Sequence, residues 1–166
     1  MDFKTADLCD QFGGELQVAE PVFHSYGGRR TFAGPASTVR CCEDNSRVRE
    51  AVGEPGAGRV LVVDGGGSRR CALLGDLLAQ QAAAHGWAGV IIYGCVRDSA
   101  EIAGFALGVL ALATLPRRSD RQGRGERDVP VEFAGVRVRP GDWVYADEDG
   151  LLVARRALVL NPSDGP

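Results

Sequence analysis

The sequence has almost no lysine. Lys4 is the only one, and it sits in a terminal segment, so a mechanism built on a lysine imine is close to excluded. Histidine is nearly as scarce. His24 and His85 are the only two, and a multi-histidine zinc or iron site cannot be assembled from one such chain. The five cysteines, Cys9, Cys41, Cys42, Cys71 and Cys95, show no CxxC spacing. An odd number of this kind fits reduced, mostly buried thiols rather than a disulfide framework. No apolar run approaches the roughly 20 residues of a membrane-spanning helix, and the amino terminus lacks the charged and apolar regions of a signal peptide. A cytoplasmic protein with no membrane partner is the expectation. The basic stripe that nucleic acid requires is missing too: 19 basic and 22 acidic residues are mixed along the chain, for a net charge of −3. The densest basic stretch, RRSDRQGRGERD at 117–128, is broken by acids and glycines and reads as a solvated loop. If the protein uses a metal, these scarcities leave oxygen ligands and a hard divalent cation such as Mg²⁺.

What is present is enough for one domain with a real core, since 45% of the 166 residues are hydrophobic. That domain is expected over residues 1–160, with 161–166 a disordered tail. A short helix over 4–12 comes first, with Thr5 as its cap. Strand 31–42 follows, irregular at Gly34–Pro35, and Asp44–Asn45 cap a helix running to about Val52. The five-residue apolar strand within GRVLVVDGGGS (58–68) is followed by an alanine- and leucine-rich helix from Asp76 to His85, closed by Gly86. Strand 88–94, a short helix near 99–104 and strand 107–114 complete this part. The stretch 129–154 alternates and turns like antiparallel strands, with bends at Gly135, Pro140–Gly141 and Asp149–Gly150. The fold class is therefore α/β, a compact single domain with a βαβ core and antiparallel carboxyl-terminal strands.

The βαβ reading has a geometric consequence. Strand 59–64 runs up, the helix from Asp76 runs back down about 15 Å, and strand 88–94 returns about 23 Å. The glycine loop 65–68, the helix start at 75–78 and the pair Arg97–Asp98 should therefore meet at the carboxyl ends of parallel strands, where α/β sheets place ligands. Gly75 permits a tight turn, and Asp76 can act as N-cap. The amides of Leu77 and Leu78 would then seat a carboxylate or phosphate at the positive end of the helix dipole. Arg97 could grip the same anion and Asp98 could hold a cation. The plainer alternative is that Asp76 only caps and Arg97–Asp98 is a local ion pair. VDGGGS is not a dinucleotide fingerprint, because Arg70 stands where the third glycine is required and no acidic residue follows at the expected offset. Its glycines read as permitting close backbone approach.

These residues have a familiar arrangement. ADLCDQF, YGGRRTFAGPASTVRC, EDN, GRVLVVDGGGSRRCALLGD, GWAGVIIYGCVRD, PRRS and GRGERDVPVEFAGVRVRPGDWVYADEDGLLV together resemble the regulator of ribonuclease E activity A (RraA-like) family. Its near relatives are the class II 4-hydroxy-4-methyl-2-oxoglutarate aldolases. The likeness covers roughly residues 5–155. It implies a layered fold of the swivelling β/β/α type, a homotrimer with clefts between subunits, and a divalent cation, Mg²⁺ or Mn²⁺. The aldolase branch carries an aspartate, twenty residues, then Arg–Asp; here these are Asp76, residues 77–96, Arg97 and Asp98. By resemblance, Gly75, Asp76, Leu77 and Leu78 would bind the carboxylate of a small 2-oxo acid through backbone amides. Arg97 would bind the same portion and stabilise the enolate, Asp76 would orient a catalytic water, and Asp98 would ligate the metal. Glu101 is near enough in sequence to assist the metal's water shell, and an exposed helical carboxylate is its plainer reading. Oxaloacetate decarboxylation is implied as a second activity. The other branch implies a non-catalytic regulator of ribonuclease E or an RNA helicase, and some relatives carry a methyltransferase label that the broken glycine motif does not support. The acids of DWVYADEDG (142–150) are expected to cover a hairpin, and Trp87 and Trp143 to be packing residues.

Overall fold

The computed structural model describes residues 2–159, so the tail expected at 161–166 lies outside the described residues. The chain runs α1 (Thr5–Phe12), β1 (Leu16–Val18), β2 (His24–Ser25), β3 (Phe32–Arg40), α2 (Ser46–Val52), β4 (Val60–Asp64) and β5 (Ala72–Leu74). It continues with α3 (Asp76–Ala84), β6 (Gly89–Val96), α4 (Ser99–Ile102), β7 (Gly108–Thr114), β8 (Glu126–Arg127) and the strands β9 (Val131–Phe133), β10 (Val136–Val138), β11 (Trp143–Ala146) and β12 (Leu151–Ala154). The main sheet has the order β1-β12-β11-β3-β4-β6-β7-β2, with β5 added beside β6 and β8 beside β3. Strands β3, β4, β6 and β7 are parallel neighbours, and the flanking pairs are antiparallel.

Strand β3 joins the two halves. Phe32 to Pro35 pair antiparallel with β11, and Ala36 to Arg40 pair parallel with β4. The change of partner falls just after Gly34–Pro35, the irregularity expected there. Proline has no N–H to give a ladder, and a Cβ on Gly34 would stand 2.2 Å from the Gly58 carbonyl oxygen.

Strands β4 and β6 are buried on both faces, which is why they read as unbroken apolar runs rather than as alternation. Leu61, Val63 and Ile92 pack toward α2 and α3 with Val48, Ala79, Ala82 and Trp87. Val60, Val62 and Ile91 pack on the opposite side with Val131, Phe133 and Val136 of the β9–β10 hairpin. A third cluster seats Phe3 and Leu8 on Tyr145 and Leu152. Hairpin, sheet and helices thus form the expected β/β/α layers. Alanines on the buried side of α3 let it lie close to the sheet, and Gly86 ends it with φ +79°, where a side chain would be strained.

The cap of α1 differs from expectation, while the Asp44–Asn45 pair expected at α2 is borne out. Thr5 is the first residue of α1, and Lys4 holds the cap position. The Thr5 hydroxyl and amide both donate to Asp147, at 2.7 Å each, so the turn after β11 supplies what Thr5 was expected to supply. At α2, Asn45 occupies the cap position while the Asp44 carboxylate accepts the Ser46 amide. Trp87 is buried, its indole N–H donating to the Glu54 carbonyl. Among the described residues, no helix is long and apolar enough to cross a membrane.

Candidate active site

The parallel pairing of β5 with β6 brings the two chains out of the sheet side by side. Leu74 lies opposite Val96, and the Arg97 amide donates to the Leu74 carbonyl at 2.9 Å. Gly75 and Arg97–Asp98 therefore emerge together at the carboxyl edge of the sheet. The absent side chain at Gly75 makes room for them: a Cβ there would stand 2.8 Å from Asp98 Oδ2 and 3.3 Å from Arg97 Nε. Asp98 holds left-handed backbone angles, φ 55° and ψ 42°, a conformation that aspartate tolerates better than most residues. This turn aims its carboxylate back at the start of α3, where Oδ2 accepts the Asp76 amide at 3.2 Å.

Asp76 itself is not the cap. The helix begins at Asp76 and the extended residue Gly75 takes the cap position, because the carboxylate that receives the Asp76 amide arrives from Asp98 across the sheet. Asp76 Oδ1 instead accepts the Leu77 amide at 2.8 Å. Of the amides expected to seat an anion, two are already satisfied by the protein's own carboxylates, and the Leu78 amide has no partner among the described residues. Arg97 Nε lies 3.8 Å from Asp98 Oδ2, with each side chain about one-third exposed. The local ion pair of the plainer reading is thus present, but it is loose and opens onto a cavity.

That cavity, about 50 Å³, is lined by Gly75, Asp76, Leu77, Leu78, Arg97 and Asp98 together with Asn45, Arg49, Ala72, Arg118 and Arg121. All six expected residues meet there. The last five were missed, and the loop 117–128 is the main reason. It is solvent-exposed along most of its length, as expected, but its backbone is also tied down. Asp44, fully buried, accepts the Gln122 amide at 2.7 Å, Ser119 Oγ receives the Asn45 amide, and the Arg117 carbonyl accepts the Ala72 amide. Burial alone would raise the Asp44 carboxyl, but bonds from Ser46, Gln122 and Arg124 outweigh it and hold the group well below the usual carboxylate range. The alternating acids and arginines do face solvent; the long-range ties to Asp44, Asn45 and Ala72 are what a local reading does not show.

The glycine loop 65–68 also lies at the carboxyl end of β4, yet it does not line the cavity. Gly65 and Gly67 donate to the Tyr93 carbonyl, and a Cβ on Gly65 would overlap Leu73. Its glycines serve close packing of the chain on itself. Glu101 is exposed on α4 and does not line the cavity either.

Among the described residues, no three His, Cys, Asp or Glu side chains come together as a metal-binding group. The cavity offers two carboxylates, Asp98 and Asp76, and no nitrogen or sulfur ligand other than arginine. Such a donor set cannot cage a cation. It does fit a hard divalent ion that keeps several waters and completes its shell with substrate oxygens.

The profile of the RraA-like family, described as Aldolase/RraA, matches residues 5–153. The chain belongs to this family. A protein of Alkalilimnicola ehrlichii, provisionally named 4-hydroxy-4-methyl-2-oxoglutarate aldolase, is 61% identical over 159 residues, covering 96% of this chain and 99% of that one. A Geobacillus kaustophilus structure described as an S-adenosylmethionine:2-dimethylmenaquinone methyltransferase superposes with a TM-score of 0.92 at 60% identity, over 94% of this chain and 97% of the other. The RNA-processing inhibitor RraA from Thermus thermophilis has the same TM-score at 48% identity, over 96% of each chain. The RraA-like fold is thus confirmed. The relatives' names divide between an aldolase, a methyltransferase and a regulator. The glycine turn packed under Tyr93 lends the methyltransferase name no support in this chain.

Proposed function

We propose that this RraA-like protein is a divalent-metal-dependent lyase that cleaves 4-hydroxy-4-methyl-2-oxoglutarate to pyruvate and also decarboxylates oxaloacetate. The observation that carries this reading is the meeting of helix-start amides, Arg97 and Asp98 around one cavity. At present, Asp98 and Asp76 carboxylates receive the Asp76 and Leu77 amides. A substrate carboxylate entering there would take these donors and the open Leu78 amide, and Arg97 would add a charge-assisted grip. The exchange would free Asp98 to ligate Mg²⁺ or Mn²⁺. That ion would supply Lewis acidity at the 2-oxo group, the role a lysine imine plays elsewhere and Lys4 is not placed to play.

Cleavage breaks the bond between C3 and C4, and its electron pair passes toward the C2 oxygen as the 4-hydroxyl proton leaves to water. Arg97 holds positive charge beside the developing enolate. Asp76 orients the water that returns a proton to C3. Oxaloacetate reaches the same enolate by losing carbon dioxide. A second reading, a regulator that binds an RNA-processing partner such as ribonuclease E or a helicase, rests on the likeness to the Thermus protein. Asp98 separates the two, because masking a partner requires no metal ligand.

The test is pyruvate release from both substrates with Mg²⁺ or with EDTA, for wild type, Asp98→Ala and Arg97→Ala. Metal-dependent turnover that falls at least 100-fold in both variants is expected. Absence of turnover with any divalent ion would refute the lyase reading and favour the regulator.

A further inference from the structure

The start of α3 is held by the protein's own carboxylates. Asp98 Oδ2 accepts the Asp76 amide at 3.2 Å, and Asp76 Oδ1 accepts the Leu77 amide at 2.8 Å. A carboxylate there faces the positive end of the helix dipole, the place that the lyase reading gives to the carboxylate of a 2-oxo acid. Asp98 therefore stands where a ligand carboxylate would stand. Its backbone is pinned on both sides: the Arg97 amide donates to the Leu74 carbonyl at 2.9 Å, and the Asp98 carbonyl accepts the Ile102 amide at 3.0 Å. The side chain is held less firmly. Arg97 Nε is 3.8 Å away, and more than a third of the Asp98 side chain is exposed. Turning that side chain alone takes the carboxylate off the amide.

One carboxylate with two uses has a thermodynamic consequence. While Asp98 receives the Asp76 amide, a cation can recruit it only by breaking that hydrogen bond. Once another carboxylate has taken the amide, the bond is already broken and the cation no longer bears its cost. Anion and cation then favour each other even where they share no atom, and the effect is reciprocal.

We propose that Asp98 couples the two halves of the site: a carboxylate bound at the start of α3 releases Asp98 and so raises the affinity of the cavity for a divalent cation. This rests on the placing of carboxylate and cation under the lyase reading. A 2-oxo acid would also tighten the cation by chelating it, but coupling through Asp98 requires no oxo group. A simple monocarboxylate is enough. The cavity would thus hold its cation weakly until an acid has entered.

The experiment follows Mn²⁺ binding by the paramagnetic resonance of the free ion, in propionate, in pyruvate and in chloride at equal ionic strength. Propionate is expected to tighten Mn²⁺ about 5- to 10-fold over chloride, the scale of one partly exposed hydrogen bond to a charged group. Pyruvate, which can also chelate, should tighten it further. Calorimetry should show Mn²⁺ raising propionate affinity by the same factor. Two variants remove the contact differently. Gly75→Ala crowds Asp98 off the amide, since the added Cβ would stand 2.8 Å from Oδ2. Asp76→Pro removes the amide itself; proline suits the first residue of a helix, and Gly75, at φ −123° and ψ −170°, is extended as the residue before a proline prefers. In both, the propionate effect should fall to near one, with thermal melting to show that each is folded. Propionate that leaves Mn²⁺ affinity unchanged or weakens it in wild type overturns the proposal. So does a propionate effect that survives in both variants, or a wild type that binds no Mn²⁺. Coupling without pyruvate release from either substrate would sink the lyase reading and leave the coupling in place. Metal-dependent turnover without a propionate effect does the reverse.

Discussion

Replacing Gly75 with alanine separates the geometry of the site from the stability of the fold. The added Cβ would stand 2.8 Å from Asp98 Oδ2, 3.3 Å from Arg97 Nε and 3.4 Å from Arg97 Cγ. All three are side-chain atoms, and the Gly75 φ of −123° suits any residue, so the backbone need not move. Asp98 must withdraw by about half an ångström or more to reach normal contact, which breaks its bond to the Asp76 amide. That loss costs about 1 kcal/mol, and alanine is a poorer cap than glycine by about 0.5 kcal/mol. Against this, the alanine restricts the unfolded chain and returns about 0.4–1 kcal/mol. Net stability should change by no more than about 1 kcal/mol, a melting shift of roughly 2–4 °C. Activity should respond far more, since displacing a reacting group by about 1 Å can cost on the order of 100-fold. Pyruvate release coupled to lactate dehydrogenase, beside a thermal melt, measures both. Wild-type activity in Gly75→Ala would refute the crowding argument. So would a melting temperature lowered by more than about 10 °C, since the loss of activity could then be ascribed to unfolding.

Asp98→Asn keeps a residue that tolerates left-handed angles, so it should melt within a few degrees of wild type, while Asp98→Ala adds a strain of roughly 1 kcal/mol; both should lose Mg²⁺-dependent turnover. Retained turnover in the asparagine variant would argue against a ligand role for the carboxylate. Acid should destabilise the fold through Asp44 and Asp147. Burial pushes each carboxyl up, but the hydrogen bonds they accept hold both below their ordinary value of 3.8. Their contribution is therefore complete above the unfolded pKa and is lost as pH falls below about 4 toward the folded values. Urea midpoints should be level from roughly pH 8 to 5 and then decline. Asp44→Asn should lower stability by about 1–3 kcal/mol at neutral pH and flatten that acid slope; an unchanged slope would show that the acid sensitivity lies in other groups.

Long elements were legible because their cause is local. The run Val60 to Val63 had to be a strand buried on both faces, and the helix from Asp76 to Ala84 carries its own stop at Gly86. The short strands β1, β2, β5 and β8 were not foreseen, since two or three residues cannot display a period. Missing β5 mattered most. Its pairing with β6, not the βαβ crossover alone, sets Gly75 against Asp98. The crossover placed the correct residues at the correct edge, and β5 determined which of them touch.

The arginine cluster shows where local reading stops. Within residues 117–128, arginines alternate with acids and glycines, and any window of that composition is most economically a solvated loop. Its fate is decided by Asp44, more than 70 residues upstream, whose buried carboxylate takes the Gln122 amide and reaches Arg124 at 3.4 Å. Asp44 itself looked like a helix cap, and it does accept the Ser46 amide. One carboxylate oxygen starts α2, which carries Arg49, while the other holds the loop that carries Arg118 and Arg121. Asp44 thus positions Arg49 and the loop of Arg118 and Arg121 without lining the cavity. This separation can be measured. Asp44→Asn should loosen the loop before it loosens the sheet, and hydrogen exchange at the Gln122 and Gly123 amides follows that directly. Faster exchange at these two amides, with the amides of β4 and β6 protected as in wild type, is the expected pattern. Exchange unaltered at Gln122 would place the hold on the loop in groups other than Asp44.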